Sequence, residues 1–135
     1  GLANQPQSVS VDDGLELTDV WVTAGVRCAP PDNKPSVEER DACAPFLDRE
    51  LALLSRARVF VALGAFGWNA ALGGLATIGH PTPRPKPKFA HGAEVEVGGV
   101  SLLGSYHVSQ QNTFTGRLTE PMLDAVFARA IELSR

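Results

Sequence analysis

The segment Arg58-Val59-Phe60-Val61-Ala62-Leu63-Gly64 constrains this chain most. It is apolar almost without interruption. A strand that is wet on one face alternates apolar and polar residues. A strand covered on both faces, as in a parallel sheet, does not. Val100 to Tyr106 reads as another strand, Val20-Trp21-Val22-Thr23-Ala24 as a short buried one, and Val95 to Val97 as a minor one. Helical patterns lie between and after them. Such alternation predicts an α/β protein with a parallel sheet and helices on its faces.

The helices carry their own start signals. Ser36 with Glu39 matches a capping box, and Glu38, Glu39 and Asp41 suit the positive end of a helix dipole. Apolar Phe46, Leu47, Leu51 and Leu54 keep helical spacing to about Ser55. Trp68 to Leu75 predicts a shorter helix weakened by glycine. Thr119 caps the last helix, with Pro121 in its first turn and an apolar stripe of Leu123, Val126, Phe127, Ala130 and Ile131. Residues 1–18 read as loop with a turn at Asp12-Asp13-Gly14, and His107 to Leu118 as a polar loop.

Composition narrows the function classes. The chain has 135 residues, enough for one domain with a real core. With 44% hydrophobic and 20% charged residues it is not a disordered chain. No apolar run reaches the roughly 18 residues of a membrane helix. Gly1 to Ser10 shows no signal peptide, which favours the cytoplasm. A net charge of −3 argues against coating nucleic acid by bulk charge. It leaves room for a local patch, and Pro81 to Lys88 holds Arg84, Lys86 and Lys88 without an acid. That stretch is either a solvated linker or a contact to backbone phosphates, which position a protein without reading sequence.

Ligands of open parallel sheets bind beyond the C-terminal ends of the strands. Three segments leave those ends here: Arg27 to Pro35, Gly64 to Trp68, and His107 to Leu118. The first holds Asn33, and the last holds His107, Ser109, Gln110, Gln111 and Asn112. His107 is a surface or capping histidine, or a donor that steadies a developing anion. Asn112 and Asn33 are turn residues that bond their own backbone, or groups lining a cleft. Cys28 and Cys43 are two core thiols or part of a metal site, and two thiolates cannot close an iron–sulfur or zinc site alone.

Together these segments carry a resemblance. The runs are Val22-Thr23-Ala24-Gly25-Val26-Arg27-Cys28-Ala29-Pro30-Pro31-Asp32-Asn33-Lys34-Pro35, Glu38-Glu39-Arg40-Asp41-Ala42-Cys43, Val61-Ala62-Leu63-Gly64 and Tyr106-His107-Val108-Ser109-Gln110-Gln111-Asn112-Thr113-Phe114-Thr115-Gly116-Arg117-Leu118-Thr119. They resemble the family 5 (type B) uracil-DNA glycosylases, the iron–sulfur branch of that superfamily, from about Asp19 to the C-terminus.

The resemblance implies a three-layer α/β/α fold around a four-stranded parallel sheet. It implies excision of uracil, and of hypoxanthine or xanthine, from DNA in base-excision repair. It implies a structural [4Fe–4S] cluster with Cys28 and Cys43 as two of its four ligands. His107 matches the histidine that steadies charge on uracil O2, and Asn33 and Asn112 match positions bearing on the active site. Ser109, Gln110, Gln111, Thr113 and Phe114 fall in the element that enters duplex DNA. Arg84, Lys86 and Lys88 are expected to meet phosphates.

The family's first cysteine pair, its Gly-rich first motif and the aspartate beyond it find no match here. Residues 1–135 therefore read as the C-terminal portion of one glycosylase domain. The rest is expected from an N-terminal part of the same protein, continuous with this chain or separate. Its absent strand would lie between Val20–Ala24 and Val59–Leu63. A non-catalytic nucleic-acid or iron–sulfur module of the same fold is the rival reading. The expected partner is DNA with deaminated bases, in a bacterial or archaeal cytoplasm, with no membrane.

Overall fold

A computed structural model of the chain describes residues 1–25 and 36–135. Three strands form one sheet in the order β1-β3-β2. β1 (Val59–Leu63) runs parallel to β3 (Val100–Ser105), in register from Val59 opposite Ser101 to Leu63 opposite Ser105. β2 (Glu94–Val97) lies antiparallel on the other side of β3. Gly98 and Gly99 join β2 to β3 at φ of 56° and 93°, a left-handed pair that a two-residue hairpin needs. The sheet is therefore mixed. Among the described residues it has three strands rather than four.

The capping box forms as expected: the Ser36 hydroxyl accepts from the Glu39 amide and the Glu39 carboxylate from the Ser36 amide. It opens α1 (Val37–Leu53), whose buried stripe is Cys43, Leu47 and Leu51. Phe46 falls outside that stripe and is exposed, contrary to the expected pattern. α2 (Gly64–Thr77) begins directly at the end of β1, four residues earlier than its sequence suggests. α3 (Gln110–Phe114) is a short helix inside the segment expected to be loop, capped by Ser109. α4 (Glu120–Ser134) starts at the Thr119 cap with Pro121 in its first turn.

Alternation along the strands sorts the two faces. Phe60, Ala62, Val95, Val97 and Leu102 pack with Trp68, Leu72 and Leu75 of α2. Leu103, on the opposite face, lines a shallow groove with Met122 and Val126 of α4. α1 rides on α2 so closely that a Cβ at Gly74 would stand 2.6 Å from Leu51 Cδ1. The layers are thus α1 and α2, sheet, α4.

Trp68 is the centre of the larger core. It is fully buried, meets Phe89 edge-on, and its indole N–H donates to the Pro87 carbonyl at 3.0 Å. That bond pins the chain after the basic stretch to α2. The chain then crosses β3 at Gly104, where a Cβ would stand 2.7 Å from the Ala90 carbonyl oxygen and 3.3 Å from Trp68.

Val20–Ala24 departs from expectation. It belongs to no strand, and Trp21 and Val22 are 63% and 74% exposed. Its apolar pattern needs a neighbour on which to pair, and among the described residues no strand pairs with the outer edge of β1 either. The segment lies instead beside the helices. Trp21 Nε1 donates to Glu50 of α1, and Gly25 abuts Phe66 and Ala70 of α2.

Two outcomes follow for stability. Gly104→Ala should destabilise the protein by about 1–3 kcal/mol in urea unfolding, because backbone rather than a pliable side chain fills the space. Glu94 sits below the usual carboxylate range because Arg129 of α4 hydrogen-bonds it at 2.8 and 2.9 Å. A lowered folded-state value adds stability above the ordinary carboxylate range and loses it as pH falls through the folded value. Glu94→Gln should therefore be destabilising at neutral pH, and its difference from the parent should shrink on acidification and in high salt.

Candidate active site

The parallel register sets the site. Leu63 and Ser105 are opposite each other, so β1 and β3 end at the same level. β1 passes at once into α2 through Gly64, at φ 87°. β3 passes through Tyr106 into His107. The two exits touch: a Cβ on Gly64 would stand 3.2 Å from the Cβ of His107. Glycine is needed at this position both for its left-handed backbone and for the approach of the histidine. His107 is exposed at this end of the sheet. It stands beside the N-terminus of α2, which has no side-chain cap and presents the positive end of its dipole.

Asn112 closes the loop that carries His107. Its side-chain amide donates to the His107 carbonyl at 2.8 Å. Its own carbonyl accepts from the Leu118 amide at 3.0 Å, and Leu118 is buried. One residue therefore ties both ends of the segment 107–118. The backbone-bonding role weighed for Asn112 is the one its amide plays, and it positions His107. The Ser109 hydroxyl accepts from the Asn112 amide and starts α3. Gln110, Gln111, Thr113 and Phe114 then stand exposed on that helix, with Phe114 82% exposed.

The expected basic contacts are all at the surface. Arg84, Lys86 and Lys88 are exposed, and the chain that follows them runs to this end of the sheet. Pro87 meets Trp68, Ala90 meets Gly104, and His91 meets Tyr106. His91 Nδ1 accepts from the Tyr106 amide at 3.0 Å, so its proton resides on Nε2. The rings of His91 and Tyr106 lie 4.9 Å apart, and the Arg117 guanidinium sits 4.7 Å from the centre of the tyrosine ring. Sequence reasoning missed Tyr106, His91 and Arg117 as a group. The available signal was Arg117, the one arginine or lysine in a segment without acids.

Asn33 and Cys28 lie outside the described residues, as does the whole segment Arg27 to Pro35. Gly25 rests on Phe66 of α2, the helix whose first residue meets His107. Cys43 is a free, buried thiol near the end of the second turn of α1. Among the described residues no three His, Cys, Asp or Glu side chains converge as a metal site. This chain holds two cysteines, so a cluster with four thiolates would need two from outside these 135 residues. No described helix is long and apolar enough to cross a membrane.

The model of the uracil DNA glycosylase superfamily matches residues 1–131, and the chain belongs to that superfamily. It is 50% identical over 136 residues to the type-5 uracil-DNA glycosylase of Mycobacterium tuberculosis, covering 99% of this chain and 49% of that protein. It is 48% identical over 137 residues to the type-5 uracil-DNA glycosylase of Thermus thermophilus, covering 99% of this chain and 59% of that protein. A type-4 uracil-DNA glycosylase of Sulfurisphaera tokodaii is 40% identical over 52 residues, 38% of this chain and 23% of its own length. The chain thus spans about half the length of the curated type-5 relatives it matches.

Asn112→Asp tests the positioning role. It keeps the shape and removes the donor to the His107 carbonyl. The loss of one such bond should destabilise segment 107–118 by about 0.5–1.5 kcal/mol. Faster amide hydrogen exchange confined to that segment checks it.

Proposed function

We propose that the protein of which this chain is part hydrolyses the N-glycosidic bond of uracil, or of hypoxanthine or xanthine, in DNA. The observation that carries this is His107, exposed at the C-terminal end of β3 and packed over Gly64, in a chain of the uracil DNA glycosylase superfamily. The target base must leave the stack before an enzyme can reach its glycosidic bond. The site lies at the rim of the sheet rather than inside it, as an extruded base requires.

As the bond breaks, its electron pair passes to the base and a cation-like sugar remains. Water adds to the sugar carbon and gives up a proton, and the base anion takes one. A donor fixed where the charge develops lowers the barrier to the first event. His107 supplies that donor from an N–H of its imidazole ring. The uncapped end of α2 adds favourable potential beside it. Asn112 holds the histidine backbone in place. Asn33 is assigned to the same cleft from the resemblance of its motif.

The remaining parts come from outside this chain in the same proposal. A further strand along the open edge of β1 would complete a four-stranded parallel sheet and give Val20–Ala24 a partner. Uncovered apolar side chains support the assignment: Trp21, and Phe46 and Leu53 of α1, are more than half exposed, which costs free energy in water. Cys28 and Cys43 would supply two of four thiolates to a structural iron–sulfur cluster. Such a cluster would serve as a covalent brace between Cys28 and Cys43 and would supply no step of the hydrolysis.

In the full-length protein, His107→Ala should cut single-turnover excision by about 10²-fold, the effect of losing one anion-stabilising donor, with DNA affinity changed far less. Excision at the parent rate would remove the catalytic assignment. Cys43→Ser should lower the iron content of the purified protein, and unchanged iron would show that this thiol is not a ligand.

A further inference from the structure

Arg117 has no role in the scheme above. We propose that it grips one phosphate of the DNA strand carrying the excised base, and that Tyr106 is the platform holding it there. The inference rests on the reading that this site handles DNA. Three observations support it.

The first is charge. Segment 107–118 contains no aspartate or glutamate, and among the described residues no carboxylate pairs with Arg117. By contrast, Arg129 is tied to Glu94 and Glu132. An exposed guanidinium without a counter-ion is available to an anion from outside.

The second is order. The guanidinium lies against the ring of Tyr106, 4.7 Å from its centre. Tyr106 is itself fixed through its amide to His91 Nδ1 and by the His91 ring at 4.9 Å. The next residue along, Leu118, is buried and bonded to the Asn112 carbonyl. Arg117 therefore projects between two anchors. A guanidinium resting on an aromatic face keeps its edge N–H groups free, and its planar fork matches two phosphate oxygens. Prior ordering reduces what binding must spend on immobilising a long side chain.

The third is place. Tyr106 immediately precedes His107, so the platform for the cation and the donor for the base are neighbours on one rigid exit from β3. A cation at this position meets the backbone of the nucleotide being extruded or of its neighbour. Arg84, Lys86 and Lys88 lack such a platform and serve the wider duplex.

The test uses the full-length protein and uracil duplexes in which single phosphates flanking the uracil are replaced by uncharged methylphosphonates. Arg117→Gln should weaken binding about tenfold and reduce the slope of log affinity against log salt by about 0.9, the share of one phosphate. One methylphosphonate should cause the same loss in the parent and no further loss in Arg117→Gln. Tyr106→Phe, which keeps the ring, should bind like the parent, and Tyr106→Leu should weaken binding several-fold. An unchanged salt slope in Arg117→Gln, or losses that add at every flanking phosphate, would overturn the proposal. Parent protein that binds uracil DNA without excising it would overturn the glycosylase reading while the phosphate cycle still decides Arg117.

Discussion

The parallel pairing of β1 with β3 is the constraint on which the site depends. Parallel strands end together, and here Leu63 and Ser105 are opposite one another. Both exits therefore open on one rim. The chain leaves β1 directly into a helix and leaves β3 into a loop, and Gly64, the first residue beyond that level, faces His107, the second, so closely that a Cβ on Gly64 would stand 3.2 Å from the Cβ of His107. Any side chain at Gly64 would push the histidine away as well as strain the turn. A shift of register by one residue would turn Leu102 and Leu103 to the wrong faces and separate the exits together. Site and core are thus fixed by the same ladder of backbone bonds.

Trp68 extends that frame to a segment that could not order itself. Pro81 to Lys88 has four prolines and three cations, with little to bury. The Trp68 indole needs an acceptor in the core and finds it at the Pro87 carbonyl. Phe89 packs on the same ring, and Gly104 leaves space for the Ala90 carbonyl. His91 then reaches the Tyr106 amide. A requirement internal to the core, a buried N–H that must be satisfied, thereby carries a basic strip to the rim where His107 stands.

What was legible in the sequence was whatever had a local cause. The Ser36 capping box, the Thr119 cap with Pro121, the stripe of α4 and the apolar runs of β1 and β3 are decided within a few residues, and they formed where expected. The start of α2 was not legible, because glycine and phenylalanine ahead of Trp68 are weak helix signals and tertiary packing overrides them. The helix α3 was hidden in a polar run, although Ser109 offered a cap. Val20–Ala24 shows the opposite failure. Its β-rich pattern is real, but a strand exists only with a partner, and pairing is not encoded in the strand itself. His107 stood out through its place after a strand. Its dependence on Asn112, and the stack of Arg117, Tyr106 and His91, involve contacts across the loop and from a distant segment, which no spacing rule reveals.

The acidic total and the proposed anionic partner are compatible once charge is placed rather than summed. The net charge of −3 is a property of the whole chain. At about 0.1 M salt, charges more than about 10 Å apart scarcely feel one another. Glu38, Glu39 and Asp41 lie at the start of α1, and Asp12 and Asp13 in the N-terminal turn. The Asp13 carboxylate is occupied with the amides of Leu15, Val9 and Ser10, which hold it below its usual range. Glu94 is matched by Arg129. Segment 107–118, in contrast, offers an unpaired arginine, neutral hydrogen-bonding side chains and one exposed phenyl ring. Under the proposed function, a DNA backbone arriving there would meet an arginine in a segment that carries no acid of its own. Sequence-independent attraction to this segment would then act beside His107, where a base would be presented.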